Sequence, residues 1–260
     1  MQDLSITIIQ TDLTWENREK NLSHFENKIN SVREETDLII LPEMFSTGFS
    51  MNPKELAEPM NGLTVDWMQK RSIDKKTDIC GSIIIKENDK YFNRLIWTKP
   101  DGSLFIYNKR HLFRMGNEQD VYSSDDKLIT VELKDWKIRP LICYDLRFPV
   151  WARNKGGLEY DLLVYVANWP DKRTHHWKSL LTARAIENQA YVAGVNRIGS
   201  DGNNVFYCGD SMVVDPLGET LALLGDQDTI HTKRLSKRHL VDYRKRFPAW
   251  KDGDRFKITK

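Results

Sequence analysis

Cys143, Lys109 and Glu43 are a thiol, a cation and a carboxylate, each standing where an apolar run of the chain stops. The run Leu141-Ile142-Cys143-Tyr144-Asp145-Leu146-Arg147-Phe148-Pro149 starts as the end of a buried strand, 138–142. It passes into Pro149-Val150-Trp151-Ala152-Arg153, the first turn of a helix with proline where helices accept it. A thiol at such a bend faces the positive end of the following helix, which favours the thiolate and makes Cys143 a candidate nucleophile. Taken alone, such a cysteine is more often a small buried hydrophobe. Two other stretches argue against that reading. Leu38-Ile39-Ile40-Leu41-Pro42-Glu43 is an apolar strand closing on a carboxylate, and Phe105-Ile106-Tyr107-Asn108-Lys109-Arg110-His111 is a strand closing on a lysine. Three strands thus each deliver one reactive side chain at the C-terminal end, where open α/β sheets place their sites.

The elements that must hold these residues follow from hydrophobic periodicity. Residues 5–10 alternate and form a first strand, and Leu22, Phe25, Ile29 and Val32 recur at helical spacing through 15–35. A strand spans 37–43. A helix spans 64–75, capped by Thr64, and a strand over 78–85 holds Cys80 as a packed core thiol. Pro100-Asp101-Gly102 joins 94–98 to 103–107 as a hairpin, and a second hairpin joins 128–133 to 137–144. The intervening 111–126, with Gly116, Ser123 and Ser124, reads as a loop over the site. A strand over 161–166 then ends at Asn168-Trp169-Pro170, and a long helix over 173–189 shows Trp177, Leu180, Leu181, Ala185 and Ile186 as its apolar positions. Strands at 191–195, 211–214 and 220–224 complete an α/β layered fold.

Composition excludes several classes. The 260 residues carry 39 basic against 37 acidic side chains, a net charge of +2, which gives no general pull toward nucleic acid or anionic membrane. No run approaches the ~20 apolar residues of a membrane span, and no signal-peptide pattern opens the chain, so a cytoplasmic location is expected. Cys80, Cys143 and Cys208 are few, odd in number and far apart, against a disulfide framework or a cysteine zinc site. No Pro/Gly/Ser-rich linker divides the chain, which reads as one domain over 1–260. The basic run Lys233, Arg234, Lys237, Arg238, Arg244, Lys245 and Arg246 is diluted by Asp242, Asp252 and Asp254, and reads as a solvated helix face with an oligomer contact. Gly194, Gly199 and Gly202 read as turn residues, and no phosphate-cradling glycine loop occurs.

Leu-Pro-Glu43, Lys109-Arg-His-Leu and Cys143-Tyr-Asp-Leu-Arg-Phe-Pro resemble the three catalytic blocks of the nitrilase (carbon-nitrogen hydrolase) superfamily. The similarity continues through Ala167-Asn168-Trp169-Pro170, Ala183-Arg184-Ala185-Ile186-Glu187-Asn188 and Gly209-Asp210-Ser211-Met212-Val213-Val214-Asp215-Pro216, from about residue 5 to about 256. The resemblance implies a four-layer α-β-β-α sandwich, no cofactor or metal, and a homodimer reached through helix 173–189 and the tail 231–260. In that tail Phe247-Pro248-Ala249-Trp250 offers apolar anchors. It also implies a second glutamate that orients the lysine, for which Glu118 is the counterpart. Within the superfamily the blocks Lys-Arg-His-Leu-Phe-Arg-Met and Cys-Tyr-Asp-Leu-Arg-Phe-Pro-Val-Trp are most similar to the ω-amidase branch, whose members release ammonia from the terminal amide of 2-oxo acids.

Breaking an amide requires a nucleophile for the carbonyl carbon, a group to hold the oxyanion and a proton donor for the departing nitrogen. Cys143 supplies the first, Lys109 with the backbone N–H of Tyr144 the second, and Glu43 the third. Moving the proton from thiol to carboxylate costs roughly 5 to 6 kcal/mol at reference proton affinities. Burial of Glu43, with Lys109 and the helix end acting on Cys143, is expected to narrow that gap, and the three side chains are expected to touch or nearly touch. A substrate carboxylate needs a cation, for which Arg173 and Arg114 compete, while Trp169 walls the pocket. Arg147 is assigned to structure, paired with Asp145 or a carbonyl.

Other readings remain open. An N-carbamoyl amino-acid hydrolase or a nitrilase uses the same Glu-Lys-Cys trio. A cysteine-histidine hydrolase through His111 has no other support, and the six histidines read as surface or helix-capping residues. A catalytically silent binding scaffold is the non-enzymatic alternative.

Overall fold

The computed structural model describes residues 1–154 and 158–259. In chain order its first half holds β1 (Leu4–Gln10), α1 (Arg18–Ser31), β2 (Leu38–Ile40), α2 (Pro53–Leu56), α3 (Leu63–Lys75), β3 (Asp78–Glu87), β4 (Lys90–Thr98), β5 (Leu104–Asn108) and α4 (Glu118–Val121). The second holds β6 (Val131–Leu133), β7 (Trp136–Ile142), α5 (Pro149–Ala152), β8 (Leu162–Ala167), α6 (Thr174–Asn188), β9 (Tyr191–Asn196), β10 (Ile198–Ser200), β11 (Phe206–Cys208), β12 (Met212–Val214), β13 (Thr220–Leu223), β14 (Thr229–Leu235) and α7 (Lys237–Arg246).

Period-two alternation sorts these strands into layers. Leu38 and Ile40 of β2, with Leu95 and Trp97 of β4, join one apolar cluster with Ile138, Leu162 and Val164 of the second half. Their neighbours Ile39 and Ile96 face the other way, onto Leu22, Phe25 and Ile29 of α1 and Val65 and Met68 of α3. Burying the three α1 side chains contributes on the order of 5–9 kcal/mol, an upper bound because the unfolded chain already hides some of that surface. Two six-stranded sheets result, ordered β14-β1-β2-β3-β4-β5 and β13-β12-β9-β8-β7-β6, with helices outside each. This is the expected α-β-β-α layering.

On the second sheet Trp177, Leu181 and Ala185 of α6 pack down against β9. A Cβ at Gly194 would lie 2.5 Å from Leu181 and 2.7 Å from Trp177, so this glycine admits the helix. It is mid-strand rather than the turn residue expected from sequence, whereas Gly199 does need its left-handed backbone, with φ of 80°.

Several local expectations shift. The N-cap of α3 is Gly62, without a side-chain cap. Thr64 instead donates its N–H to Glu58 Oε2 at 2.9 Å, so a carboxylate does the capping from outside the helix. The expected strand over 37–43 stops at Ile40. Strand β3 runs on to Glu87 and turns directly into β4 through Asn88 and Asp89, both left-handed, with φ of 48° and 57°. The loop expected over 111–126 contains a 3-10 turn at Arg114–Gly116 and the short α4.

The tail is also corrected. Residues 229–235 form β14, the edge strand of the first sheet, antiparallel to β1 with Leu4 opposite Leu235. Its charges hid it, but charged side chains are how exposed edges are kept from pairing with other chains. Helix α7 is not simply solvated either. Lys237 and Arg244 are buried and donate to the two oxygens of Asp161 at 2.8 and 2.7 Å, fastening the helix to the second sheet.

Candidate active site

Glu43 stands three residues beyond β2, held by a turn in which Met44 is left-handed at φ 43° and donates its N–H to Ser82 Oγ at 2.9 Å. The carboxylate has no solvent exposure. Its Oε1 accepts Lys109 Nζ at 2.8 Å and Asn93 Nδ2 at 2.7 Å, and its Oε2 accepts the Asn168 N–H at 2.8 Å. Lys109 follows β5 directly, and its backbone N–H donates to Asn93 O at 2.9 Å. Its ammonium also reaches Glu118 Oε1 at 3.0 Å and Oε2 at 2.9 Å and lies 5.1 Å from the Phe49 ring. Glu118 is fully buried. Its Oε2 accepts the Phe113 N–H at 2.6 Å, which ties the loop above the site to the lysine.

Cys143 follows β7 directly, in the left-handed region at φ 41°, a conformation a non-glycine residue adopts only when its surroundings enforce it. Asp145 is the enforcing group. Its Oδ2 accepts the Ile142 N–H at 3.1 Å and the Tyr107 hydroxyl at 2.7 Å, and its Oδ1 accepts the His111 N–H at 3.0 Å and meets His111 Nδ1 at 2.8 Å. One buried carboxylate therefore locks the cysteine turn of the second sheet to the lysine-bearing strand of the first. His111 is thereby committed to Asp145 and stacked on Phe148 at 3.8 Å, neither a surface nor a capping residue. The Cys143 thiol donates to Asn168 O at 3.8 Å and lies close enough to Glu43 to feel its charge.

The electrostatics correct one expectation. Burial, reinforced by the negative charge of Glu43, pushes the Cys143 thiol well up, and Lys109 does not reverse this. The helix end does not help either, because Cys143–Arg147 is a 3-10 turn and α5 beyond it has four residues, too few for an appreciable dipole. Burial alone would discharge Lys109, but Glu118 and Glu43 outweigh it and hold the ammonium above its ordinary range. Burial raises Glu118, opposed by Lys109. The thiol is thus pushed up beside a lysine whose ammonium is favoured.

These groups open onto a cavity of about 610 Å³ walled by Phe49, Phe113, Trp169 and Phe206, with Lys109, Cys143 and Tyr144 in its lining. Trp169 is in the cavity lining, its indole donating to Arg173 O at 2.8 Å. Arg173 lines the cavity with its guanidinium 5.4 Å from the Phe113 ring. Arg114 is exposed and lies outside the lining, although Met115 and Gly116 of the same 3-10 turn are part of it. Arg147, expected to pair with Asp145 or a carbonyl, does not pair with Asp145, whose two oxygens already meet four other donors or ring atoms. It lines the cavity instead, 4.7 Å from the Trp169 ring, with a hydrogen bond to His176 Nδ1 at 3.2 Å.

Asn93 and Asn168 are the site residues that sequence reasoning passed over. The available signal was a polar residue in an apolar strand and an asparagine at a strand's C-terminal end. Among the described residues no cluster of His, Cys, Asp or Glu is arranged to hold a metal ion, and no helix is long and apolar enough to cross a membrane.

Comparison with known proteins agrees over nearly the full length. The model of the carbon-nitrogen hydrolase family matches residues 5–245. The chain is 44% identical over 259 residues to an Escherichia coli K12 protein named omega-amidase YafV, covering 99% of this chain and 100% of the relative. It is 32% identical to the 2-oxoglutaramate amidase of Bacillus subtilis, covering 95% and 96%. A solved CN-hydrolase superfamily protein from Xanthomonas campestris, described with an arsenic adduct in its active site, superposes with a TM-score of 0.97 at 43% identity over 100% of both chains.

Proposed function

The chain belongs to the carbon-nitrogen hydrolase family, and from that premise we propose that it is an ω-amidase-like enzyme, hydrolysing the terminal amide of a small 2-oxo dicarboxylic acid monoamide to ammonia and the diacid. The observation that carries this reading is a buried ammonium held between two carboxylates beside a thiol in a left-handed turn, at the floor of a cavity whose wall carries two arginines.

The steps follow from that geometry. Cys143 Sγ attacks the amide carbon while Glu43 takes the thiol proton, because a thiol raised by burial does not ionise ahead of attack. The carbonyl oxygen becomes an oxyanion held by Lys109 Nζ and the Tyr144 N–H, donors of a kind whose single removal lowers rates about 10²–10³-fold. Glu43 passes the proton to the nitrogen, the C–N bond breaks and ammonia leaves an acyl thioester on Cys143. Glu43 then draws a proton from water, the hydroxyl adds to the thioester carbon, and collapse expels the thiolate, which regains the proton. Glu118 keeps Lys109 charged and in place throughout.

Three substrates separate this reading from its rivals: 2-oxoglutaramate, an N-carbamoyl amino acid and a simple nitrile, each assayed for ammonia. The expected result is release from the 2-oxo acid amide at a kcat/KM at least about tenfold above the other two, a margin of only ~1.4 kcal/mol in transition-state binding. Preference for the carbamoyl compound or the nitrile moves the chain to another branch, and no release from any of them favours a silent scaffold.

Arg173 binds the substrate's carboxylate in this scheme, with Arg147 reinforcing it. Arg173→Ala is expected to raise KM for 2-oxoglutaramate about tenfold or more while a neutral short amide is little affected, since a charge-assisted hydrogen bond contributes ~1.5–3 kcal/mol. Equal loss on both substrates would remove Arg173 from this role.

The working form proposed is a cytoplasmic homodimer joined across α6 and the C-terminal segment. Ile186 at 50% exposure and Phe247 at 56% support it as apolar side chains on that face. Sedimentation at micromolar concentration tests the dimer.

A further inference from the structure

We propose that Asn93 is a positioning residue of this site, a neutral double donor that holds the Glu43 and Glu118 carboxylates together around Lys109 and leaves Glu43 Oε2 as the oxygen that exchanges protons. Asn93 is fully buried, and its Nδ2 donates to Glu43 Oε1 at 2.7 Å and to Glu118 Oε1 at 3.2 Å. Lys109 Nζ touches the same two oxygens at 2.8 and 3.0 Å. Two carboxylate oxygens are therefore bridged by two donors, one charged and one neutral. Both partners of Nδ2 are pure acceptors, which sets the orientation of the amide.

Lone pairs then decide which oxygen is available. Glu43 Oε1 has two donors, so both of its acceptor positions are taken, whereas Oε2 has the Asn168 N–H alone at 2.8 Å. Of the two oxygens, Oε2 therefore keeps an acceptor position open toward the Cys143 thiol. A second sign that this position serves the site is the other end of the same amide. Asn93 Oδ1 is buried with no hydrogen-bond partner among the described residues. Leucine has nearly the same shape and would leave no such orphan, but it would strip one donor from each carboxylate. A lysine or arginine would supply donors but would also add a positive charge to a cluster that already holds one ammonium.

The titratable groups facing this cluster are Lys109, Glu118, Cys143 and Tyr122, with Tyr207 and Glu16 at longer range. Removing this donor from the two carboxylates makes them bind protons more readily, and the less-compensated negative charge beside Cys143 raises the thiol further. Two readouts report this. The first needs no substrate: the rate of alkylation of Cys143 by iodoacetamide across pH, followed by the mass of the Cys143 peptide because Cys208 is also a free thiol. For Asn93→Leu the midpoint of that profile is expected to move up by about one pH unit, and for Asn93→Asp, which adds a third carboxylate, by more. The second is the acid limb of kcat/KM on the amide turned over, expected to move up likewise while KM stays within about twofold, because Asn93 touches no substrate. If Asn93→Leu does not fold, Asn93→Ala carries the same expectation.

Midpoints and limbs that stay at the unaltered protein's position in both variants, whatever happens to kcat, would overturn the inference, as would a shift downward. The turnover readout rests on the proposed amidase activity, but the alkylation profile does not. Absence of turnover in the unaltered protein would therefore sink the functional reading and leave Asn93 to be decided by alkylation.

Discussion

Lys109→Met is expected to cost the protein both turnover and stability, the latter by about 3–5 kcal/mol, because it leaves two buried carboxylates facing each other without their cation. Methionine fills the volume of the lysine stem, so the loss measured is that of the charge. Glu43 and Glu118 share this one ammonium at 2.8 and 2.9 Å, and neither is exposed to solvent that could replace it. The stability deficit should depend on pH with a definite sign. Protonating either carboxyl removes the like-charge repulsion, and the folded variant binds that proton more tightly than the unfolded chain does. The deficit is thus largest at alkaline pH and shrinks as pH falls. Urea unfolding at pH 5 and pH 8 measures it. Equal stability of Lys109→Met and the unaltered protein at pH 8 would mean that the pair is not buried as described. Turnover is expected to fall at least 10²–10³-fold at every pH, since an oxyanion donor is gone as well.

Cys143→Ala is expected to abolish turnover, by about 10⁴-fold or more, and to leave stability within about 1 kcal/mol. No other group in the cavity lining takes over covalent attack: Lys109 is held as an ammonium between two carboxylates, and an ammonium is not a nucleophile. The left-handed backbone at φ 41° is no worse for alanine than for cysteine, so the turn should survive. Intact mass after rapid quenching supplies the second arm. The unaltered protein should show a fraction carrying the acyl group, and the alanine variant none. Residual hydrolysis in Cys143→Ala above about one per cent would show that water attacks directly and that the thioester is not on the path.

Both variants act on groups whose positions are legible along the chain. Lys109 and Cys143 each follow a strand's last residue with nothing between, so placing the strand places the side chain. The apolar faces of β2, β4 and α1 were legible for the same reason, since periods of two and 3.6 are properties of the local chain. Strand β14 was not legible, because an edge strand needs no apolar alternation and its partner β1 lies at the other end of the chain. Gly194 looked like punctuation because the crowding that requires it comes from α6 rather than from its own backbone.

The site divides along the same line. The sequence by itself determined which kinds of chemistry were available, a thiol, an ammonium and a carboxyl at strand ends, because residue type and adjacency to an apolar run are written along the chain. Tertiary structure alone decided what those groups are in each other's presence. Glu43 meets Lys109 across 66 positions of sequence and Asn168 across 125. Asn93 joins them from β4, and Arg147 swings into the cavity because Asp145 has been taken by Tyr107 and His111. Proton affinity is set through space by burial and neighbouring charge. The thiol that local reasoning expected to be acidified is instead pushed up, by the closing of one sheet over the other and by a carboxylate a hundred residues upstream.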